Sequence, residues 1–221
     1  MGFNIAIDGP AGAGKSTIAK LAASELSYIY IDTGAMYRAI GLYVYRKQVA
    51  EDDVCAIGKA AKETEVSIRY IDKERHVYLN GEDVSEEIRK EHIGHMASVV
   101  AAVPAVREHL LALQRQIAQE NDIIMDGRDI GTCILPNANV KIFLTATPEE
   151  RARRRHLELA AKGSDTPYEV VLADIKERDY RDTHREIAPL KQADDAVYLD
   201  TSNMTIEEAA AKVVELAKAA Q

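Results

Sequence analysis

Short, nearly continuous apolar runs and longer amphipathic stretches take turns along most of this chain. The runs at 3–8 (FNIAID), 28–32 (YIYID), 122–126 (DIIMD), 140–146 (VKIFLTA) and 196–200 (AVYLD) read as strands. Their lack of a polar face predicts burial on both sides, as in a parallel sheet. Helices are predicted over 15–26, 34–47, 104–120, 148–161, 167–184 and 205–219. Pro104 and Pro148 fit first-turn positions, the latter with Thr147 as its cap. Strands alternating with helices imply an α/β fold with a doubly wound sheet.

Residues 66–83 break that rhythm. VSIRYIDKERHVYLNGED alternates polar and apolar positions in two runs around Asp72-Lys73-Glu74 and ends at Asn80-Gly81, a turn pair. This predicts a small antiparallel excursion, followed by helical residues from about Ser85 to Ala102. Residues 63–103 therefore read as an insertion in an α/β core.

Composition narrows the class. At 221 residues the chain is long for one domain and short for two independent ones. The net charge of −8 argues against non-specific nucleic-acid binding, which needs a broad basic surface, so any anion must meet locally concentrated positive charge. Aromatic residues at 5%, with no Trp, leave no stacking platform for single strands. Cys55 and Cys133 make neither a disulfide framework nor a metal set, and are expected to be small, partly buried residues of a reducing compartment. The N-terminus lacks a signal peptide, and MGFNIA has Ala6 where myristoylation needs Ser or Thr. No apolar run approaches the roughly 20 residues of a membrane span. Asn203-Met204-Thr205 fits a glycosylation acceptor, which a cytosolic chain does not use. The expectation is a cytoplasmic protein with no nucleic-acid or membrane partner.

Gly9-x-x-x-x-Gly14-Lys15-Ser16 fits the phosphate-binding loop pattern, with an apolar strand before it and a good helix former after it. Small residues let successive backbone N–H groups curl around a β-phosphate, and the helix N-terminus adds a favourable dipole. In that pattern Lys15 reaches the β- and γ-phosphates and the Ser16 hydroxyl ligates Mg²⁺. No N-K-x-D is present to read guanine. Arginines cluster elsewhere: Arg151, Arg153, Arg154 and Arg155, then Arg178, Arg181 and Arg185 on one predicted helix face with Asp182 beside them. Such clusters are either solvated faces or a lid whose guanidiniums close over transferring phosphates.

Four segments in order, DGPAGAGKST (8–17), DTGAMYR (32–38), DGRDIGT (126–132) and ERDYRDTHR (177–185), with KIFL and APL at matching places, resemble the bacterial-type cytidylate kinases. The resemblance spans essentially the whole chain, insertion included. It implies transfer of the γ-phosphoryl of ATP to CMP or dCMP, with Mg²⁺. It also implies the five-stranded parallel core of the P-loop nucleoside monophosphate kinases, with an inserted acceptor-binding subdomain and a short lid. On that pattern the core is 1–33, 104–147 and 185–221, the acceptor region 34–103 and the lid about 148–184. Gly9, Pro10, Ala11, Gly12, Ala13, Gly14, Lys15, Ser16 and Thr17 would hold ATP. Arg38, Arg128 and Arg178 would hold the acceptor phosphate beside Asp32 and Thr33, where some relatives carry Ser and keep the hydroxyl. Ser98, Arg107 and Asp129 would read cytosine, Asp182 and Arg185 would meet the ribose, and Arg154 and Arg155 would serve the lid. Lys15, Arg128, Arg178, Arg154 and Arg155 are thus the catalytic candidates. The residue chemistry agrees: a phosphate with a second pKa near 6 is already nucleophilic at neutral pH, so no general base is required.

Two smaller signals stay open. His92 and His95 have metal-like spacing but no third ligand, and read as surface or packing residues. Asp126, at a strand end, either positions Mg²⁺ through water or caps a turn. The competing functions are a kinase for UMP, AMP or a hydroxylated metabolite, a non-catalytic nucleotide-binding module, and a nucleic-acid-dependent ATPase that the acidic charge disfavours. A monomer is expected.

Overall fold

The computed structural model describes residues 2–71 and 74–221; the turn expected at Asp72 and Lys73 lies outside the described residues. The chain begins β1 (Asn4–Asp8), α1 (Lys15–Leu26), β2 (Ile29–Asp32), α2 (Thr33–Arg46) and α3 (Val54–Lys62). It continues β3 (Val66–Ile71), β4 (Glu74–Leu79), β5 (Glu82–Asp83), a 3₁₀ turn at Glu87–Arg89, α4 (Glu91–Ala101) and α5 (Pro104–Glu120). After β6 (Ile123–Gly127) come a π-helical turn at Ile130–Ile134, β7 (Val140–Thr145), α6 (Pro148–Ala161), α7 (Tyr168–His184), β8 (Val197–Asp200) and α8 (Ile206–Ala219).

Two compact units emerge: Met1–Ile31 with Ala118–Gln221, and Asp32–Ile117. Residues 104–117 cluster with the second unit, where the sequence pattern placed them in the core. In the first unit the five predicted strands make one sheet in the order β2-β6-β1-β7-β8, with parallel pairing at β6–β1, β1–β7 and β7–β8. The alanine-rich faces of α1 and α8 pack on it, burying Ile5, Ile7, Ile18, Ile142, Leu144, Val213 and Val214 in a single cluster. Small residues on both helices allow that close approach, so burial comes from many modest side chains instead of a few aromatic ones. Pro148 opens α6 with Thr147 capping it, and α6 packs on α7 through Ala152, Val171 and Ile175. In the second unit β3, β4 and β5 form the antiparallel excursion, and Met36, Ile40, Leu42, Ile57, Ile93 and Leu110 fill the interior.

Three features depart from the pattern. Helix α3 went unpredicted: it is short, interrupted by Gly58, and starts where the Asp53 carboxylate accepts from Ala56 N–H. Arg185 follows α7 with extended backbone, so it leaves the helix face that carries Arg178 and Arg181. Cys55 and Cys133, expected to be partly buried, are both exposed, since each sits on the outer side of a short element.

β1 ends at Asp8, whose carboxylate accepts the backbone N–H groups of Ile130 and Gly131 at 2.7 Å each. These bonds tie the β1 terminus to the π-helical turn that follows Asp129. Burial pushes the Asp8 pKa from 3.8 up to about 6, against the pull of those two N–H groups. Replacing one carboxylate oxygen by an amide sets NH₂ against an N–H donor, so Asp8→Asn should lose about 1–3 kcal/mol near neutrality. The folded chain holds the Asp8 proton more tightly than the unfolded one, so this group's contribution is full below 3.8 and is lost as pH rises through about 6. The stability gap between wild type and variant, measured by urea unfolding, should therefore narrow across that window. A flat or widening gap contradicts this account.

Candidate active site

The loop between β1 and α1 has the form its glycines predict. Gly9 adopts φ +152°, and a Cβ there would lie 1.9 Å from the Leu144 carbonyl oxygen, so β7 can pass only behind a bare Cα. Gly14 adopts φ +89°, in the left-handed region, and caps α1 with no side-chain hydrogen bond. The first-turn N–H groups of α1 are thus not capped by a side chain at Gly14, which suits an anion. Ser16 and Thr17 are exposed there, whereas Lys15 is 6% exposed. Pro10, Ala11, Gly12 and Ala13 complete the loop, Pro10 with its carbonyl accepting from Lys15 Nζ at 2.7 Å.

Behind the loop, cations and acids are packed together. Burial and the neighbouring Arg128 guanidinium push the Lys15 pKa from 10.5 down to about 7, with Asp126, Asp182 and Asp8 pulling the other way. Arg128 Nε donates to Asp182 Oδ2 at 2.8 Å. Burial raises the cost of ionising Asp182, but Arg128, Arg178 and Arg185 outweigh it and hold the carboxyl below its usual range. Arg185 Nη2 donates to Asp129 Oδ1 at 3.2 Å, and Asp129 is buried. Asp126, also buried, accepts from Ser16 Oγ and Tyr30 Oη, each at 2.9 Å. The motif residues of 126–132 and 178–185 are therefore brought to the phosphate loop.

The arginines of α6 separate by helix position. Arg151 is 3% exposed; it donates to the carbonyls of Ala146 (2.9 Å) and Ala11 (3.1 Å) and makes a two-pronged bond to Asp179 (3.0 and 2.6 Å). Arg154, one turn on, donates to Glu150 and to the Thr201 carbonyl at 2.8 Å each, and its Nη1 comes within 3.9 Å of where a Gly14 Cβ would be. Arg153 and Arg155 point outward, to Glu150 and Glu158. Arg155 is thus not brought to the loop, and Arg181 pairs only loosely with Glu177 at 3.7 Å.

In the second unit Asp32 and the buried Thr33 open α2. Arg38 Nη1 donates to the Ile88 carbonyl at 3.0 Å. Ser98 is half-buried on α4, and Arg107, on α5, lies 5.8 Å from the Tyr37 ring centre. The His92 and Tyr45 rings meet at a tilt, centres 4.8 Å apart, and His95 pairs with Glu51 at 2.7 Å; among the described residues no group of three or more His, Cys, Asp or Glu is arranged to hold a metal.

The family model for cytidylate kinase matches residues 5–219. The chain belongs to the cytidylate kinase family. Among curated relatives, the cytidylate kinase of Caldicellulosiruptor bescii is 53% identical over 214 residues, covering 97% of this chain and 95% of that one. That of Geobacillus sp. (strain WCH70) is 49% identical, covering 97% and 96%. A solved structure of an uncharacterised protein from Eubacterium ventriosum aligns with a TM-score of 0.54 at 13% identity over 99% of each chain, a likeness of fold alone. No single helix among the described residues is long and apolar enough to cross a membrane.

In this member of the cytidylate kinase family, sequence reasoning missed Asp8, Tyr30 and Thr201. Thr201 Oγ1 donates to the Thr145 carbonyl at 3.0 Å, in the segment whose backbone holds Arg154. An acid at a strand end was the only signal for Asp8, and none marked the other two. Arg151 was legible as a charge but not as a buried strut. Arg151→Ala would strand the Asp179 carboxylate and two carbonyls; because Asp179 is 22% exposed, the loss should sit at or below the low end of about 3–5 kcal/mol. Urea unfolding reads this, and a loss under about 1 kcal/mol would show that Arg151 is no strut.

Proposed function

We propose that the protein transfers the γ-phosphoryl group of ATP to CMP and dCMP, giving ADP and CDP or dCDP. The observation that carries this is the buried Lys15 beside the half-buried Arg128 behind the phosphate loop, in a chain matched by the cytidylate kinase model over residues 5–219. An oxygen of the acceptor phosphate attacks the γ-phosphorus and the β–γ bridging oxygen leaves with ADP; neither step needs a protein base. What the chain supplies is position and positive charge.

The phosphate loop, Gly9 to Thr17, cradles the ATP phosphates, and Lys15 follows the β- and γ-oxygens as charge moves toward the leaving group. Arg38, Arg128 and Arg178, with Thr33, hold the acceptor phosphate; Asp182 and Arg185 meet the ribose. Arg154 supports the lid role by its place at Gly14, whereas Arg155 would have to leave Glu158 to join it. The oxygen pair of Ser16 and Asp126, 2.9 Å apart, suits Mg²⁺, which keeps several waters and is bound mainly through nucleotide phosphates. When bound, Mg²⁺ would neutralise charge on the β- and γ-oxygens; Ser16 would ligate it and Asp126 would act through water. The protein is taken to work as a cytoplasmic monomer on small molecules alone.

Base choice rests on Ser98, Arg107 and Asp129. A carboxylate at Asp129 accepts from cytosine N4–H₂ but would face O4 of uracil with like polarity, and Arg107, a pure donor, suits cytosine N3 and opposes N3–H of uracil. Each mismatch leaves a desolvated group unpaired at about 1–3 kcal/mol, so CMP should be preferred over UMP by at least about a hundredfold.

Three measurements check the reading. Coupled assays with ATP and, in parallel, CMP, dCMP, UMP and AMP should give turnover chiefly with the first two; ATP binding without turnover on any monophosphate would defeat it. In the same assay Lys15→Ala should slow transfer on the order of 10³-fold with an unchanged melting temperature. Asp129→Ala should hurt CMP strongly and UMP little, collapsing their ratio. Equal loss on both would mean that Asp129, bonded to Arg185, serves the fold and not the base.

A further inference from the structure

We propose that Arg75, on strand β4 of the insertion, is a positioning residue for the acceptor phosphate: it neutralises Asp32 and so keeps the first turn of α2 receptive to an anion. The proposal rests on the reading that Thr33 and Arg38 hold that phosphate.

Asp32 closes β2 and caps α2, its Oδ1 accepting from the Ala35 N–H at 3.0 Å. A carboxylate at that position favours the helix, because it satisfies an orphan donor and meets the positive end of the dipole. The same helix end, through Thr33, is where a phosphate dianion is to bind, and a bare carboxylate one residue away would repel it. Arg75 removes the conflict. Its Nη1 lies 2.7 Å from Asp32 Oδ2, and the two side chains are 16% and 22% exposed, so solvent screens the pair only in part. The cap survives and its charge is cancelled.

A second observation gives the insertion the same task. Arg38 donates from Nη1 to the Ile88 carbonyl at 3.0 Å, and Gly94 of α4 leaves space for the guanidinium. A Cβ on Gly94 would lie 3.0 and 3.1 Å from Arg38 Nη2 and Nη1. Inserted segments thus fix Arg38 by shape and Asp32 by charge. Asp32, which the sequence motif groups with substrate-binding residues, then acts through its cap and its partner without touching the nucleotide.

The test is steady-state kinetics of the full chain at saturating ATP, with melting temperatures read alongside. Arg75→Met keeps the apolar stem and removes the charge; the KM for CMP should rise about tenfold, with kcat and the KM for ATP within about twofold, and the effect should shrink in added salt. Arg75→Lys should retain most of the wild-type KM. Adding Asp32→Asn to Arg75→Met should restore it, because no carboxylate remains to repel the phosphate. An unmoved KM for CMP, an equal rise for ATP and CMP, a KM that follows melting temperature across the set instead of charge, or no recovery in the double variant overturns the proposal. Arg38→Gln is run in parallel: if it leaves the KM for CMP unchanged, the phosphate reading itself has failed, separately from the role of Arg75.

Discussion

The phosphate-loop end of this molecule depends on keeping two like charges together, the buried Lys15 and the half-buried Arg128. Neither burial nor mutual repulsion favours them: both act to drive the Lys15 ammonium toward its neutral form. The arrangement stands because Asp8, Asp126 and Asp182 surround the pair, and because these acids are themselves held by backbone N–H groups, hydroxyls and arginines. A phosphate group entering beside Lys15 would add negative charge there and favour the ammonium form. Positive charge that is fixed before the ligand arrives needs no reorganisation when phosphoryl oxygens separate, and this is where such sites gain most of their rate. The constraint also reconciles a net charge of −8 with an anionic ligand. The basic charge is local, enclosed and braced by the acids that outnumber it.

The acids must be braced in turn, and the fold does this at the ends of strands. Asp8 ends β1 and Asp126 lies near the end of β6, neighbouring strands whose parallel register sets Asp8 opposite Gly127. One acid reaches the π-helical turn after Asp129 and the other reaches the loop hydroxyl of Ser16. A shift of one residue in that register would turn every side chain to the other face and break both ties at once. Sheet register and site geometry are therefore one specification.

This explains what could be read from the chain beforehand. Helix α1 was legible to the residue, because the glycines before Lys15 stop a helix and the alanines after it sustain one. The central strands β1, β6 and β7 were legible because burial on both faces leaves no polar alternation. Strand β8, expected to be buried in the same way, lies at the sheet edge and exposes Val197 and Tyr198. The phosphate loop was legible because its spacing has a mechanical reason. Pairwise partnerships were not: nothing in the local pattern says that Asp126 meets Tyr30, that Thr201 stands by Arg154, or that Asp32 meets Arg75. Those contacts join residues far apart in the chain, and local periodicity carries no record of them. The short α3 escaped for a different reason. A nine-residue helix containing glycine is too weak a local signal, and tertiary packing decides it.

The run Glu150-Arg151-Ala152-Arg153-Arg154-Arg155 shows how one residue type is divided among roles. Its four guanidiniums are indistinguishable by composition, yet the 3.6-residue turn sends Arg151 and Arg154 toward the phosphate loop and the other two to solvent. Of the inward pair, Arg151 is committed: four of its five N–H donors go to Ala11, Ala146 and Asp179, so it holds the loop's backbone. Arg154 is held more lightly, by Glu150 and a single carbonyl, at the edge of the same loop. A buried, multiply bonded arginine suits a fixed scaffold, and a half-buried one with fewer bonds suits a part that exchanges partners as charge arrives and departs. The positions of these two on one helix face let the loop be rigid while one of its cationic neighbours remains free to respond.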